Sequence, residues 1–201
     1  MSGEQHVYDT PSVAVSSFHF PNCQNLKGIG LHTHQKCDDV ELVIDGSPCR
    51  IVGFNEVEKI PPTTLIVNPP DSPHSLLQLD EQESTVLSFR FPRDYKGKAF
   101  SANAFNELSR TAPKSWIFDL NSDDNRLIYT TSRSYAYLTN KHLYLDRKSK
   151  ETIFVALSKY LKLKTESQII ELERGDILVL NSFNKLRTTI LDGRGVELGS
   201  C

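Results

Sequence analysis

Two histidines one residue apart, followed by acidic residues, stand out in "LHTHQKCDDVELVIDG" (31–46). His32 and His34 occupy positions i and i+2, which point to the same face of a β-strand. Asp39 follows after a short polar turn, and His74 follows a later apolar strand and two prolines. Three imidazoles and a carboxylate that converge can bind Fe(II), Mn(II), Ni(II), Zn(II) or Cu(II) and leave positions open for substrate or water.

Short strands separated by turns must position these side chains. The segment 12–20 alternates apolar and polar residues, and "DVELVIDGSPCRIVGF" predicts two strands joined in a hairpin by an Asp-Gly turn. Pro69 and Pro70 end the strand "TTLIVN", because proline cannot donate a ladder hydrogen bond. Many short strands of this kind favour an antiparallel sandwich or barrel. Residues 92–112 are more polar, and Ala104, Phe105 and Leu108 have helical spacing.

The histidine pattern resembles the two-part signature of the cupin superfamily, H-x-H-x4-E-x6-G followed by P-x-G-x2-H. In this sequence the two parts are His32-x-His34-x4-Asp39-x6-Gly46 and Pro69-x-Asp71-x2-His74. The resemblance implies an all-β fold, a double-stranded β-helix (cupin jelly roll), and a metal bound by His32, His34, Asp39 and His74.

Two positions depart from the signature, with Asp39 in place of glutamate and Asp71 in place of glycine. Aspartate has a shorter reach, so Glu41, on the same face of the strand, is an alternative ligand, and otherwise a candidate acid/base or second-layer partner of the metal. Cys37 is a possible thiolate ligand, although its position two residues before Asp39 favours a turn residue.

The second half of the chain repeats the apolar pattern of the first. A gapless shift of 112 residues places "TIFVA" over "VELVI" and Glu151 on Asp39. The same shift places Tyr144, Asp146 and Leu186 at the three histidine positions, so the second copy has no plausible transition-metal site. It also favours strands within 151–163. We therefore predict two jelly-roll barrels in tandem with a short helical connector: a metal-binding barrel at 1–95, the connector at 96–114 and a degenerate second barrel at 115–201.

Composition excludes several classes of protein. The chain has 201 residues, a net charge of -2 and no lysine/arginine-rich tract, so nucleic acid is an unlikely partner. No apolar run approaches the roughly 20 residues of a membrane span. The N-terminus does not resemble a secretory signal, and the four cysteines include no CxxC. These features favour a cytoplasmic protein with reduced thiols.

Two functions follow from the resemblance. The first is a metal-dependent enzyme acting on a small molecule, with a dioxygenase-type oxidoreductase using Fe(II) favoured among dioxygenase, isomerase and lyase activities. The second is a small-molecule sensor like the effector domain of arabinose-regulator-type transcription factors. Those proteins usually continue into a helix-turn-helix module, whereas the C-terminal half of this chain is β-patterned. A homodimer is a further expectation.

Overall fold

Strands form nearly all of the regular structure. The computed structural model describes residues 3–21, 27–53, 56–79, 81–94, 96–140, 151–181 and 188–201, and this part of the chain contains a single helix. Packing divides the chain into two compact units, Met1–Asp119 and Leu120–Cys201. The all-β prediction is confirmed.

In the first unit, the part of the chain that the structure describes forms eleven strands and the helix α1. They are β1 (Gly3–Asp9), β2 (Ala14–Phe20), β3 (Lys27–His34), β4 (Asp38–Asp45), β5 (Cys49–Gly53), β6 (Glu56–Lys59), β7 (Thr64–Asn68), β8 (His74–Gln78), β9 (Ser84–Phe91), β10 (Gly97–Ala99), α1 (Ala102–Thr111) and β11 (Trp116–Asp119).

These strands form two antiparallel sheets. One has the order β1-β2-β9-β4-β7-β11 and the other the order β10-β3-β8-β5-β6. The core lies between them, because one apolar cluster takes side chains from both sheets: Phe18, Phe20, Val43, Ile60, Ile66, Leu76 and Val86. Val43 points into this core, so Asp39 and Glu41, at alternate positions of β4, point to the same inner face.

The predicted hairpin at the Asp-Gly turn is wrong. β4 pairs with β7 and β9, whereas β5 pairs with β6 and β8 in the other sheet. Gly46 carries the chain between the sheets with φ +76, and a Cβ there would lie 2.2 Å from the carbonyl oxygen of Glu83. The turn signal was correct, but a turn does not determine which strands pair.

The segment between the predicted barrels contains the predicted short helix. Ser101 caps α1 by accepting a hydrogen bond from the Ala104 amide, and Phe105 of α1 is buried. The strands on either side of the helix belong to the first unit, because β10 pairs with β3 and β11 pairs with β7. β11 lies within the range predicted for the second barrel.

The described residues of the second unit form eight strands. They are β12 (Arg126–Thr130), β13 (Ser134–Thr139), β14 (Glu151–Ala156), β15 (Tyr160–Lys164), β16 (Ile169–Glu173), β17 (Ile177–Asn181), β18 (Thr189–Asp192) and β19 (Gly195–Ser200). The strands β14 and β15 confirm the β interpretation of 151–163. The two sheets have the orders β12-β13-β19-β14-β17 and β16-β15-β18.

The two units share a strand order. The series β1-β2-β9-β4-β7 matches β12-β13-β19-β14-β17, and β6-β5-β8 matches β16-β15-β18. Thr63 and Gly175, which the 112-residue shift superposes, both have positive φ at the turn before the matched strands β7 and β17. The Thr63 amide donates to the carbonyl of Val43 in β4, and the Gly175 amide donates to the carbonyl of Ala156 in β14.

The gapless shift is wrong by one residue in β14. Asp39 pairs with Asn68, so the shift requires Glu151 to pair with Leu180, but Glu151 pairs with Asn181. The inner face of β14 carries Phe154 and Ala156, which pack in the apolar cluster of the second unit. Thr152 therefore takes the position of Asp39, and Glu151 lies on the other face.

Candidate metal centre

Two neighbouring strands bring the three predicted histidines together. His32 of β3 lies directly opposite His74 of β8, and His34 follows on the same face of β3. The ring centroids are 4.2 Å apart for His32 and His74, 5.1 Å for His32 and His34, and 5.7 Å for His34 and His74. Sequence spacing predicted the pair on β3, and the pairing of β3 with β8 adds His74.

Asp39 reaches the histidines from the opposite sheet. Its Oδ2 lies 3.2 Å from Nε2 of His74 and 3.4 Å from Nε2 of His34. The Ser88 hydroxyl donates to Oδ1 at 2.8 Å, which holds the carboxylate in place. One ligand atom from each of His32, His34, Asp39 and His74 lies within 4.8 Å of the others.

Backbone carbonyls orient two of the rings. Nδ1 of His74 donates to the carbonyl of Ser72, and Nδ1 of His32 donates to the carbonyl of Gly30, both at 2.8 Å. A ring that donates through Nδ1 directs Nε2 toward the centre of the group, the usual arrangement of histidines that bind metals. His34 is 4% exposed, and neither of its ring nitrogens has a hydrogen-bond partner.

Burial and mutual charge shift the pKa values of the group. Burial and the nearby His74 lower the pKa of His32 to about 4, and burial lowers the pKa of His34. Burial opposes the charged forms of Asp39 and His74, but their mutual hydrogen bond and attraction outweigh it. The pKa of Asp39 is therefore lowered and that of His74 raised, so Asp39 is an anion ready to bind a cation.

Glu41 lies beside the four-residue group but outside it. The carboxyl group is buried and accepts a hydrogen bond from Nδ2 of Asn68 at 3.1 Å, and the Ser115 hydroxyl donates to Oδ1 of Asn68 at 2.6 Å. Ser115 in turn contacts Ser72. Burial and the charge of Asp39 raise the pKa of Glu41 to about 7. The geometry thus favours Asp39 as the carboxylate ligand and gives Glu41 the surroundings of a proton-holding group.

A pocket of about 550 Å³ opens onto His32 and His34. Its lining includes His32, His34, Arg90 and Gly97. A Cβ on Gly97 would lie 3.2 Å from the ring of His32, so the glycine leaves space beside the imidazoles. Arg90 is 8% exposed, and its Nη2 lies 3.7 Å from a carboxylate oxygen of Glu4.

Sequence reasoning missed Arg90, Gly97, Asn68 and Ser88. Arg90 lies opposite Asp39 in the register of β9, and Ser88 lies opposite Glu41. Alternation along β9 places Arg90 and Ser88 on one face, a signal that the sequence contains. Gly97 had no signal, since nothing in the sequence links it to His34, its partner across β10 and β3.

The donor set fits a divalent ion. It contains three imidazoles and one carboxylate, two of the rings are held by carbonyls, and the buried nitrogens of His34 make no hydrogen bond within the protein. These features are typical of a 3-His-1-carboxylate centre for Fe(II), Mn(II), Ni(II) or related ions. The assignment of individual ligands stays a prediction.

The second unit buries a different polar group on the matching inner face. The Tyr135 hydroxyl donates to Glu197 Oε1 at 3.0 Å and lies 3.2 Å from the Thr152 hydroxyl. Glu197, rather than the half-buried Glu151, is therefore the inner acid of this unit. The counterparts predicted for the histidines, Tyr144, Asp146 and Leu186, lie outside the described residues.

Structural comparison identifies the fold. The chain is similar to the nickel(II) complex of the bacterial pirin YhhW from Escherichia coli, with a TM-score of 0.63 and 8% identity over 99% of this chain and 90% of that one. It is also similar to a variant of salicylate 1,2-dioxygenase from Pseudoaminobacter salicylatoxidans (TM-score 0.58, 10% identity, 94% and 71% of the chains). A third neighbour is the Mn(II)-containing oxalate decarboxylase of Bacillus subtilis (0.54, 12%, 95% and 69%).

These neighbours have the cupin fold, so the predicted cupin jelly roll is confirmed. In each unit the jelly roll consists of two stacked open sheets. The sequence matches no protein-family model and no curated protein. None of the helices in the described residues has the length and hydropathy of a membrane span.

Proposed function

We propose that this chain is a metal-dependent enzyme that acts on a small carboxylic acid, with a dioxygenase-type oxidoreductase using Fe(II) as the favoured activity. The observation that carries the proposal is the group of half-buried His32 and buried His34, Asp39 and His74, whose ligand atoms lie within 4.8 Å of one another beside a pocket. Bound Fe(II) would supply O2 activation, and another divalent ion would polarise a substrate oxygen.

The surrounding residues have separate roles in this proposal. The carbonyls of Gly30 and Ser72 orient His32 and His74, and Ser88 holds Asp39. Glu41 does not line the pocket, and with its pKa near 7 it would hold or release a proton next to Asp39 and His74. Its hydrogen bond from Asn68 keeps the carboxyl group in position for that role.

Arg90 supports a carboxylic acid as the substrate class. Arg90 lines the pocket together with His32 and His34, and Nη2 of its guanidinium group lies 3.7 Å from a carboxylate oxygen of Glu4. A planar guanidinium group matches a carboxylate through paired hydrogen bonds. Two of the structural neighbours, salicylate 1,2-dioxygenase and oxalate decarboxylase, are named for small carboxylic acids.

The decisive experiment is metal analysis followed by oxygen uptake. Protein purified without chelator is analysed for metal, reconstituted with Fe(II) under anaerobic conditions, and mixed with oxygen and a panel of small carboxylic acids and thiols. We expect one ion per chain, and oxygen uptake with at least one acid. The variant His32→Ala should lose both, whereas Arg90→Gln should keep the metal and raise KM for the acid.

Two outcomes would redirect the proposal. A wild-type protein that binds no divalent ion would overturn it. Metal binding and saturable acid binding without turnover would instead favour the small-molecule sensor. Homodimerisation and a cytoplasmic location stay predictions that size-exclusion chromatography and cell fractionation can test.

A further inference from the structure

A second group of donor atoms lies next to the candidate metal centre and shares one residue with it. One ligand atom from each of His34, Cys37 and Asp94 lies within 4.8 Å of the others. Cys37 is fully buried in the turn after β3, and Asp94 is 9% exposed in the segment after β9. Oδ1 of Asp94 accepts the Lys96 amide at 2.9 Å, which fixes the carboxylate.

The hydrogen bonding of His34 is the independent observation that points to a ligand. The rings of His32 and His74 each donate to a backbone carbonyl, but both ring nitrogens of His34 are buried without a hydrogen-bond partner. Buried polar atoms are nearly always paired in native proteins, and an exception calls for an explanation such as an ion. A cation on either side of this ring would satisfy one nitrogen.

We propose that His34, Cys37 and Asp94 form a second cation site that takes a thiophilic divalent ion, Zn²⁺ or Cd²⁺, and that an ion there excludes an ion from the first centre. Nitrogen, thiolate sulfur and carboxylate oxygen are the three protein ligand types of zinc. Only the second group contains sulfur, so softer ions should prefer it, while Mn²⁺ should prefer the first.

The exclusion follows from the chemistry of the shared ring. A neutral imidazole has one nitrogen lone pair, because its other nitrogen carries the proton, so His34 can serve one ion at a time. When the ion binds, a sulfur–metal bond replaces the S–H bond of Cys37 and the proton leaves to solvent.

Competition between Mn²⁺ and Cd²⁺ on the full-length protein tests the inference. Cys23 and Cys201 are changed to serine in the parent, so that Cys37 and Cys49 are the remaining thiols. Bound Mn²⁺ is followed by electron paramagnetic resonance, and a cadmium–thiolate bond by its ultraviolet charge-transfer absorption. We expect Cd²⁺ to release Mn²⁺ in equal amount as the thiolate absorption appears.

Variants identify the donors. Cys37→Ser should abolish the thiolate absorption and weaken Cd²⁺ binding by at least about tenfold, the effect of losing even an indirect metal partner. It should leave Mn²⁺ affinity within about twofold, because Cys37 is not among the ligands of the first centre. Cys49→Ser is the matched control and should change neither signal. Asp94→Asn keeps the thiol and should weaken Cd²⁺, which provides a second test if Cys37→Ser does not fold.

Different results would contradict different parts of the proposal. Release of Mn²⁺ by Cd²⁺ without thiolate absorption would place cadmium in the first centre, and binding of both ions together would refute the exclusion. The exclusion rests on the proposed metal function, but the second site does not. If Mn²⁺ fails to bind the parent, the proposed function fails, while the Cys37-dependent cadmium absorption still decides the second site.

Discussion

The two units of this chain arrange their strands in the same order but carry different side chains on the inner faces of their sheets. In the first unit, the inner positions of β4 hold Asp39 and Glu41, and β8 adds His74. In the second, the inner positions of β14 hold Thr152 and Phe154. A jelly roll therefore supplies positions for a metal centre, and the residues at those positions determine whether one exists.

Packing differs at the matching inner position of the two units. Arg90 lies opposite Asp39 in the first unit, while Gly199 takes the matching place opposite Thr152. The Tyr135 ring lies directly over Gly199, where a Cβ would approach the ring to 2.5 Å. An aromatic ring thus occupies the region that corresponds to the arginine-lined wall of the pocket in the first unit.

Neutralising the inner acid of each unit gives the sharpest test of this comparison. Asp39→Asn should weaken Mn²⁺ or Fe(II) binding by at least about 100-fold, because the anion among the three histidines is lost. Glu197→Gln should leave metal binding unchanged. Isothermal titration with Mn²⁺ measures both. Equal effects of the two variants would show that metal affinity does not depend on the first unit alone.

The pH dependence of stability should also differ between the inner and surface acids. In metal-free protein, the pKa of Glu41 is about 7 in the folded state against an ordinary value of 4.5. The folded state therefore binds more protons between these values, and the free energy of unfolding falls as pH rises through this window, by on the order of 2–3 kcal/mol.

Glu41→Gln should remove that decline and gain stability relative to wild type from pH 4.5 to 8. Urea unfolding at several pH values measures the effect, with exposed Glu171→Gln of the second unit as control. If the free energy of unfolding of Glu41→Gln changed with pH in parallel with that of wild type, the raised pKa of this carboxyl group would be contradicted.

The pKa of His32, lowered to about 4, acts in the opposite direction, so His32→Gln should lose the rise in stability between pH 4 and 6.5.

Removing one hydroxyl from each unit should separate a stabilising network from a metal-supporting one. Tyr135→Phe removes the donor to Glu197 and should lower the free energy of unfolding by about 1–2 kcal/mol, without effect on metal affinity. Ser88→Ala removes the donor to Asp39 and should weaken metal binding by about tenfold. Urea unfolding and metal titration on both variants measure these effects. Weaker metal binding by Tyr135→Phe, with unchanged binding by Ser88→Ala, would contradict the comparison.

The turns that lead into β7 and β17 should give the smallest effects. Thr63 and Gly175 have φ of 64 and 88, a region that is strained for a β-branched residue. Thr63→Gly should change the free energy of unfolding by at most about 1 kcal/mol, since relief of strain is offset by lost contacts and chain entropy. Gly175→Ala should lower it by about 1 kcal/mol. Thermal unfolding measures both, and a stabilising Gly175→Ala would show that the turn is not strained.

Local patterns were enough to predict many of the strands, the helix and the shared face of His32 and His34, but not β1 or β10. Alternation placed His32 and His34 on one face of β3, and the two prolines ended β7 at Asn68. These features depend on neighbours within a few residues, so the sequence contains them directly. The repeat also followed from the apolar pattern, although its register differed by one residue in β14, because alternation alone does not define the pairing partner.

By itself, the amino-acid sequence determined an all-β chain with two similar halves and predicted a metal-ligand set in the first of them. Only the tertiary structure decided that β4 and β5 lie in different sheets, that Asp39 faces the histidines from across the core, and that Glu197 is the inner acid of the second unit. It also decided that Arg90 and Gly97 line the same pocket as His32 and His34. Strand pairing joins residues far apart in the chain, and side-chain spacing along one strand contains no information about which distant strand lies beside it.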